Sequence, residues 1–151
     1  MSAQIGQNAP DFSMQGIREG KILDIRLEDF TGKWIVLFFY PGDFTFVCPT
    51  EVKEFSVKNN EFKELGELNY PLLSDLTKEV SRRYGVLIPD KGINLRGAFI
   101  IEPEGFLRYL VVHDMDIGRS VDEILRVLRA LQTGEMCPVD WRPAKPTMGK
   151  G

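Results

Sequence analysis

WIVLFFY, residues 34–40, is the stretch on which the fold turns. Seven consecutive apolar residues without polar alternation predict a strand covered on both faces, the pattern of a central strand in an α/β sheet. The run halts at Pro41-Gly42-Asp43, a strong turn signal. Upstream, Ile22 to Leu27 predicts a short strand, and LEDFTGKW, residues 27–34, a polar turn about Gly32. Downstream, Val47, Val52, Phe55, Phe62 and Leu65 recur at roughly helical spacing, which predicts a helix with one buried stripe and Cys48 at its start. Asp75 to Tyr84 predicts a second helix, with Leu76, Val80 and Tyr84 on one face and Gly85 ending it. Gly97 to Glu102 and Phe106 to Val112 predict a hairpin turning at Pro103-Glu104-Gly105. Ser120 and Glu123 stand at capping-box spacing ahead of Val121, Ile124, Leu125, Leu128 and Leu131, which marks the last helix.

The whole chain has 151 residues, room for one domain with one core. A single α/β domain over residues 1–151 is expected, with a Pro- and Gly-rich tail from about residue 134. Apolar residues at 43% and charged residues at 27% exclude disordered, collagenous and membrane-spanning compositions. The formal charge is −3 and the 19 basic residues are scattered, so nucleic acid is not an expected partner. The longest apolar run falls far short of the roughly 20 residues that cross a bilayer. MSAQIGQNAP at the N-terminus lacks the basic start and apolar middle of an export signal. A cytoplasmic protein with no membrane partner is expected.

One histidine and two cysteines cannot supply a structural zinc site. Cys48 and Cys137 are 89 positions apart, so there is no CxxC dithiol and a thiol-disulfide oxidoreductase acting on proteins is disfavoured. A Ser-His-Asp enzyme would need His113, yet the chain has no GxSxG elbow to hold its nucleophile. His113 is read as a strand or loop residue. Phe39, Phe44, Phe46 and Trp141 are read as core or interface aromatics, Phe44 the best interface candidate.

Cys48 is the candidate for the chemistry. A cysteine at a helix N-terminus meets the positive end of the helix dipole and unpaired N–H groups, and both favour thiolate over thiol. Pro49 suits the first helical turn because its missing N–H costs no intrahelical bond, and Glu51 falls in that positive turn. Thr45 is placed to present a hydroxyl to the same pocket, and Pro41 to fix the loop and shield the sulfur. The competing reading of an isolated cysteine is a small buried hydrophobe, and of Arg96 and Arg119 ordinary surface charges.

The surrounding pattern decides between them. FYPGDFTFVCPTE, residues 39–51, contains Pro-x-x-x-Thr-x-x-Cys as Pro41, Thr45 and Cys48, and here the chain resembles the peroxiredoxin family. The likeness runs from about Ile5 to Pro146 and takes in LRGAFIIEPEG, IGRSVDEILR and GEMCPVDW in family order. It is closest to the typical two-cysteine class, the alkyl hydroperoxide reductase and thioredoxin peroxidase type. The resemblance implies a thioredoxin-like fold, a central mixed β-sheet flanked by helices. It implies reduction of hydrogen peroxide and alkyl hydroperoxides with Cys48 as peroxidatic cysteine and Cys137 as resolving cysteine, with no cofactor or metal. Arg96 matches the arginine that favours the thiolate and holds the peroxide oxygens, Thr45 a hydrogen-bond partner of the attacked oxygen, and Glu51 and Arg119 supporting residues. The partners implied are thioredoxin or an equivalent dithiol reductant and a second copy of the chain, in a homodimer and a ring of dimers. A holdase chaperone or an inactive relative is the alternative.

Two departures carry expectations of their own. In the family a strand, a helix and a loop stand between the Cys48 helix and the segment matching NYPLLSDLTKEVSRRYGVL. This chain lacks that unit of roughly 30 residues near Gly66 and Glu67. Its loss would bare the ladder of a buried apolar strand, so the expectation is a polypeptide that contains the stretch, with a true deletion as the alternative. The tail shows neither a further helix nor a Tyr-Phe pair after Pro146, from which resistance to sulfinic over-oxidation is expected.

Overall fold

The computed structural model describes residues 3–18, 21–39, 72–74 and 78–150. Contacts gather them into two units, one ending at Arg119 and one beginning at Ser120.

In the first unit, β1 (Ser13–Arg18) and β2 (Lys21–Arg26) form an antiparallel hairpin in register Ser13 to Arg26 through Arg18 to Lys21. β3 is Ile35–Phe39, and β4 (Leu72–Ser74) adds to the free side of β1. The expected strand from Ile22 begins one residue earlier, while β1 has no counterpart in the sequence reading. Its signal is the alternation Phe12, Met14, Gly16, all buried, with exposed residues between. Leu27–Phe30, expected as a polar turn, is a 3₁₀ turn that drives Phe30 into the core.

The second sheet positions the site. β3 pairs with β7 (Arg96–Ile101), and β7 with β8 (Leu107–His113), both antiparallel. Between them in sequence, β5 (Leu87–Ile88) and β6 (Ile93–Asn94) form a small ribbon. All six residues of β7 are buried, so β7 is the middle of the sheet among the described residues and β3 flanks it. Every pairing among the described residues is antiparallel; the parallel part of the expected mixed sheet is not among them. The hairpin β7–β8 turns where the sequence places it, and its turn is tied to the N-terminal segment by Ala9 N–H to the Gly105 carbonyl at 2.9 Å.

The expected helix from Asp75 is shorter among the described residues. Lys78 has a left-handed φ of 64°, so right-handed helix α1 runs only over Glu79–Arg83. Val80 and Tyr84 face inward as the periodicity required, and Gly85 ends the turn at φ 76°. Leu76 and the helix expected after Cys48 lie outside the described residues.

The core of this unit gathers Phe12, Met14, Ile25, Phe30, Ile35, Phe39, Val80, Tyr84, Val86, Phe99, Ile101 and Leu107. At its centre Tyr84 stacks edge-on to Phe99 at 5.0 Å between centroids and Phe39 lies 5.4 Å from Tyr84. The Tyr84 hydroxyl donates to the Pro10 carbonyl at 2.7 Å, and burial pushes that phenol well above its ordinary range.

In the second unit, α2 (Val121–Gln132) opens as the capping spacing predicts: Ser120 Oγ accepts from the Glu123 N–H at 3.1 Å. Val121, Ile124, Leu125 and Leu128 form its buried stripe. No helix among the described residues is long and apolar enough to cross a membrane.

Candidate active site

Two buried cations stand at one end of the β3–β7–β8 sheet. Arg96 opens β7 with no exposed surface, and its Nε donates to the Met115 carbonyl at 2.7 Å. Arg119 follows the loop after β8 and is 7% exposed. Its Nη1 donates to the Phe39 carbonyl at 2.6 Å and also to the Gly97 carbonyl, while its guanidinium lies 5.4 Å over the Phe38 ring. Phe39 and Gly97 face each other across the β3–β7 ladder. Arg119 therefore ties the last described residue of β3 to the second residue of β7. A buried guanidinium is tolerated only when its donors are satisfied, and backbone carbonyls fixed by a sheet are rigid acceptors.

Gly97 has a packing reason to be glycine. A Cβ built on it would sit 2.6 Å from Val86 Cγ1 and 3.1 Å from the Phe99 ring. The missing side chain lets β7 pass close to Val86 beside both arginines.

The structure thus brings together Arg96 and Arg119, separated by 23 positions in sequence, and neither is a surface charge. Phe39, the residue Arg119 holds, stands two positions before Pro41 in the chain. Pro41, Thr45, Cys48, Glu51, Phe44 and Phe46 lie outside the described residues. His113 is engaged at Nδ1 with the Gly118 carbonyl at 3.1 Å, in keeping with its reading as a strand or loop residue.

Cys137 lies in the second unit, just past the end of α2, as a free, half-buried thiol. Its Sγ is 3.8 Å from each of Thr133 Oγ1, the Ala130 carbonyl and the Glu135 carbonyl, weak contacts for a sulfur. The tail folds back around it: Met136 N–H donates to the Gly149 carbonyl and Met148 N–H to the Met136 carbonyl, both at 2.8 Å. Trp141 is 5% exposed, and its indole N–H donates to the Lys145 carbonyl at 3.0 Å.

The sequence reading gave no role to Gly97 or to Arg126, which organises the tail, and read Glu123 only as part of a helix cap. The capping-box spacing gives Glu123 a place at the helix start, but its carboxylate turns to Arg126 one helical turn on, with Arg126 Nη2 donating to Oε2 at 3.0 Å. That contact, above all the hydrogen bond, holds the Glu123 carboxyl below its ordinary range. The i,i+3 spacing of opposite charges was the available signal.

Known proteins resemble this chain in sequence and fold. The AhpC/TSA family matches the chain over residues 5–67 and 66–110. Peroxiredoxin-2 of Mus musculus is 43% identical, covering 97% of this chain and 90% of its own length. The mitochondrial thioredoxin-dependent peroxide reductase of Homo sapiens is 44% identical over 95% of this chain and 69% of its own. The crystal structure of reduced Plasmodium vivax 2-Cys peroxiredoxin superposes with a TM-score of 0.89 at 32% identity, covering 94% of this chain and 91% of the other. Fold and relatives together define a thiol-dependent peroxidase on a thioredoxin-like fold. The chain belongs to the AhpC/TSA family and is a peroxiredoxin.

The comparison also locates the missing unit. The family match breaks at residues 66–67. The alignment to the mouse protein spans 179 positions while covering 97% of these 151 residues, about 146, which leaves about 33 positions without a counterpart here.

Proposed function

We propose that this peroxiredoxin reduces hydrogen peroxide and alkyl hydroperoxides through Cys48, with Cys137 of a second copy of the chain as the resolving thiol. The observation that supports this best is the Arg119 contact with Phe39 and Gly97. It fixes the end of the strand leading into the Pro41–Cys48 motif, with Arg96 alongside. The Cys48 thiolate attacks one oxygen of ROOH, the O–O bond breaks, and the alkoxide leaves and takes up a proton as ROH. The product is a sulfenic acid on Cys48. Arg96 favours the thiolate and stabilises charge on the leaving oxygen, Thr45 hydrogen-bonds the attacked oxygen, Glu51 orients Arg96, and Pro41 shields the sulfur.

Cys137 then attacks the sulfenic sulfur; the S–O bond breaks, the hydroxyl leaves with the thiol proton as water, and an intermolecular disulfide forms. Thioredoxin or a similar dithiol reopens it by exchange and is itself oxidised. The half-buried, unbridged state of Cys137 fits a resolving thiol at rest. We take the working unit to be a homodimer, further assembled as a ring of dimers, in the cytoplasm, each protomer one domain with the Cys137 tail from about residue 134.

The test is the intact mass of reduced protein before and after one equivalent of hydrogen peroxide, under denaturing, non-reducing conditions. The expected product is a disulfide-linked dimer that Cys48→Ser and Cys137→Ser each abolish. A starting mass above 17.2 kDa would place the missing unit in the polypeptide, and a mass of 17.2 kDa would establish the deletion. A protein of the stated mass that peroxide leaves unchanged refutes the reading.

A further inference from the structure

We propose that Arg126 is a positioning residue for the resolving step: it latches the Cys137 loop to α2, and its release sets how fast Cys137 leaves its resting place. The inference rests on Cys137 being the resolving thiol. Arg126 uses its guanidinium in two directions. Nε and Nη2 grip the Glu123 carboxylate on the same helix, and Nη1 donates to the Trp141 carbonyl at 3.0 Å, four residues past Cys137. The Arg126 side chain is 23% exposed and that of Glu123 44%, so the arginine is partly shielded while its carboxylate partner faces water. The Glu123 grip orients the fork, and the planar guanidinium meets the carboxylate with two donors while a third reaches the backbone carbonyl.

What it holds is the frame of the loop. Trp141 is buried, and its backbone N–H donates to the Pro138 carbonyl at 3.1 Å, next to Cys137. Across the loop the Met136–Met148 bonds close the other side. Inside this frame the Cys137 sulfur rests on the Ala130 and Glu135 carbonyls and the Thr133 hydroxyl of its own chain. A disulfide requires two sulfurs about 2.05 Å apart with Cβ atoms about 3.8 Å apart, and a half-buried sulfur framed by its own chain offers a partner's sulfur little room to approach. On this proposal Cys137 leaves the frame to condense with the Cys48 sulfenic acid. The latch therefore opposes resolution and leaves the attack on peroxide untouched.

The test uses the full-length protein and rapid quenching with intact mass, which separates the peroxide-dependent oxidation of Cys48 from the peroxide-independent formation of the disulfide. Arg126→Gln removes the fork. The disulfide step should accelerate by roughly tenfold to a hundredfold, as for loss of one hydrogen bond to a charged group, with the oxidation step unchanged. Amide exchange at Met136 and Met148 in the reduced protein should quicken in parallel. Arg126→Lys keeps the charge but lacks the planar fork, so it should fall between wild type and Arg126→Gln, and it keeps the test alive if the glutamine variant folds poorly.

A disulfide step unchanged or slowed in both variants overturns the latch. So does an equal change in both steps, which would mark a merely structural role. If the wild-type chain forms no disulfide through Cys137 at all, the resolving assignment fails and the latch falls with it, a result separate from a wild-type disulfide that Arg126 does not influence.

Discussion

Gly97→Ala is the sharpest perturbation of the sheet end that holds both arginines. The added methyl would meet Val86 Cγ1 at 2.6 Å, closer than two carbon atoms tolerate, and the Phe99 ring at 3.1 Å. Neither neighbour yields easily: Val86 and Phe99 are fully buried, and Val86 is β-branched and stiff at χ1. Overpacking of this kind costs about 1–3 kcal/mol. For a chain of this length that lowers the melting temperature by roughly 2–12 °C. A shift of β7 to relieve the clash also carries the Gly97 carbonyl away from Arg119, so peroxidase activity should fall at temperatures where the protein is still folded. The decisive assay is a double-mutant cycle with Val86→Ala, read by urea unfolding. Val86→Ala alone should destabilise through its cavity, but together with Gly97→Ala the total should be less than the sum by at least about 1 kcal/mol, because the new methyl fills the space vacated. A Gly97→Ala protein that melts like wild type refutes the close approach, and so do costs that add within about 0.5 kcal/mol.

Arg119→Ala removes two hydrogen bonds from a buried charged donor to the Phe39 and Gly97 carbonyls, and should lower stability by about 2–4 kcal/mol in urea unfolding, with Arg119→Lys recovering part. The Glu123 carboxyl is held low chiefly by the Arg126 hydrogen bond, so the stability it lends the tail is complete above the ordinary glutamate range and lost as pH falls through the depressed value. Trp141 emission in a Trp34→Phe background, followed from pH 7 to pH 3, should show a transition below that range which Glu123→Gln removes.

The hairpin of β7 and β8 was legible because Pro103-Glu104-Gly105 is unambiguous turn chemistry between two β-rich runs. The capped start of α2 was legible because its signal is local to Ser120 and Glu123. The limits of α1 were not, since nothing in the residue type of Lys78 announces a left-handed backbone. The alternation that makes β1 a strand was diluted by a glycine on its buried face. At the site, Arg96 and Arg119 were identifiable only through the motifs carrying them. Their burial depends on acceptors such as the Met115 and Phe39 carbonyls, and a backbone carbonyl is present at every position, so sequence alone cannot mark which one a guanidinium will reach. The Arg126 contact escaped for the same reason.

The order β3-β7-β8 has a kinetic consequence. β7 and β8 meet across a short turn, so their pairing closes a small loop and is entropically cheap to form early. β3 reaches β7 only after the chain between residues 39 and 96 has closed. The order implied is hairpin first and β3 last, so destabilising the β7–β8 turn should chiefly slow folding, whereas weakening β3, the strand that runs toward Cys48, should chiefly hasten unfolding. Among the described strands, the one that precedes the Cys48 segment in the chain is then the last to join the sheet and the first to leave it.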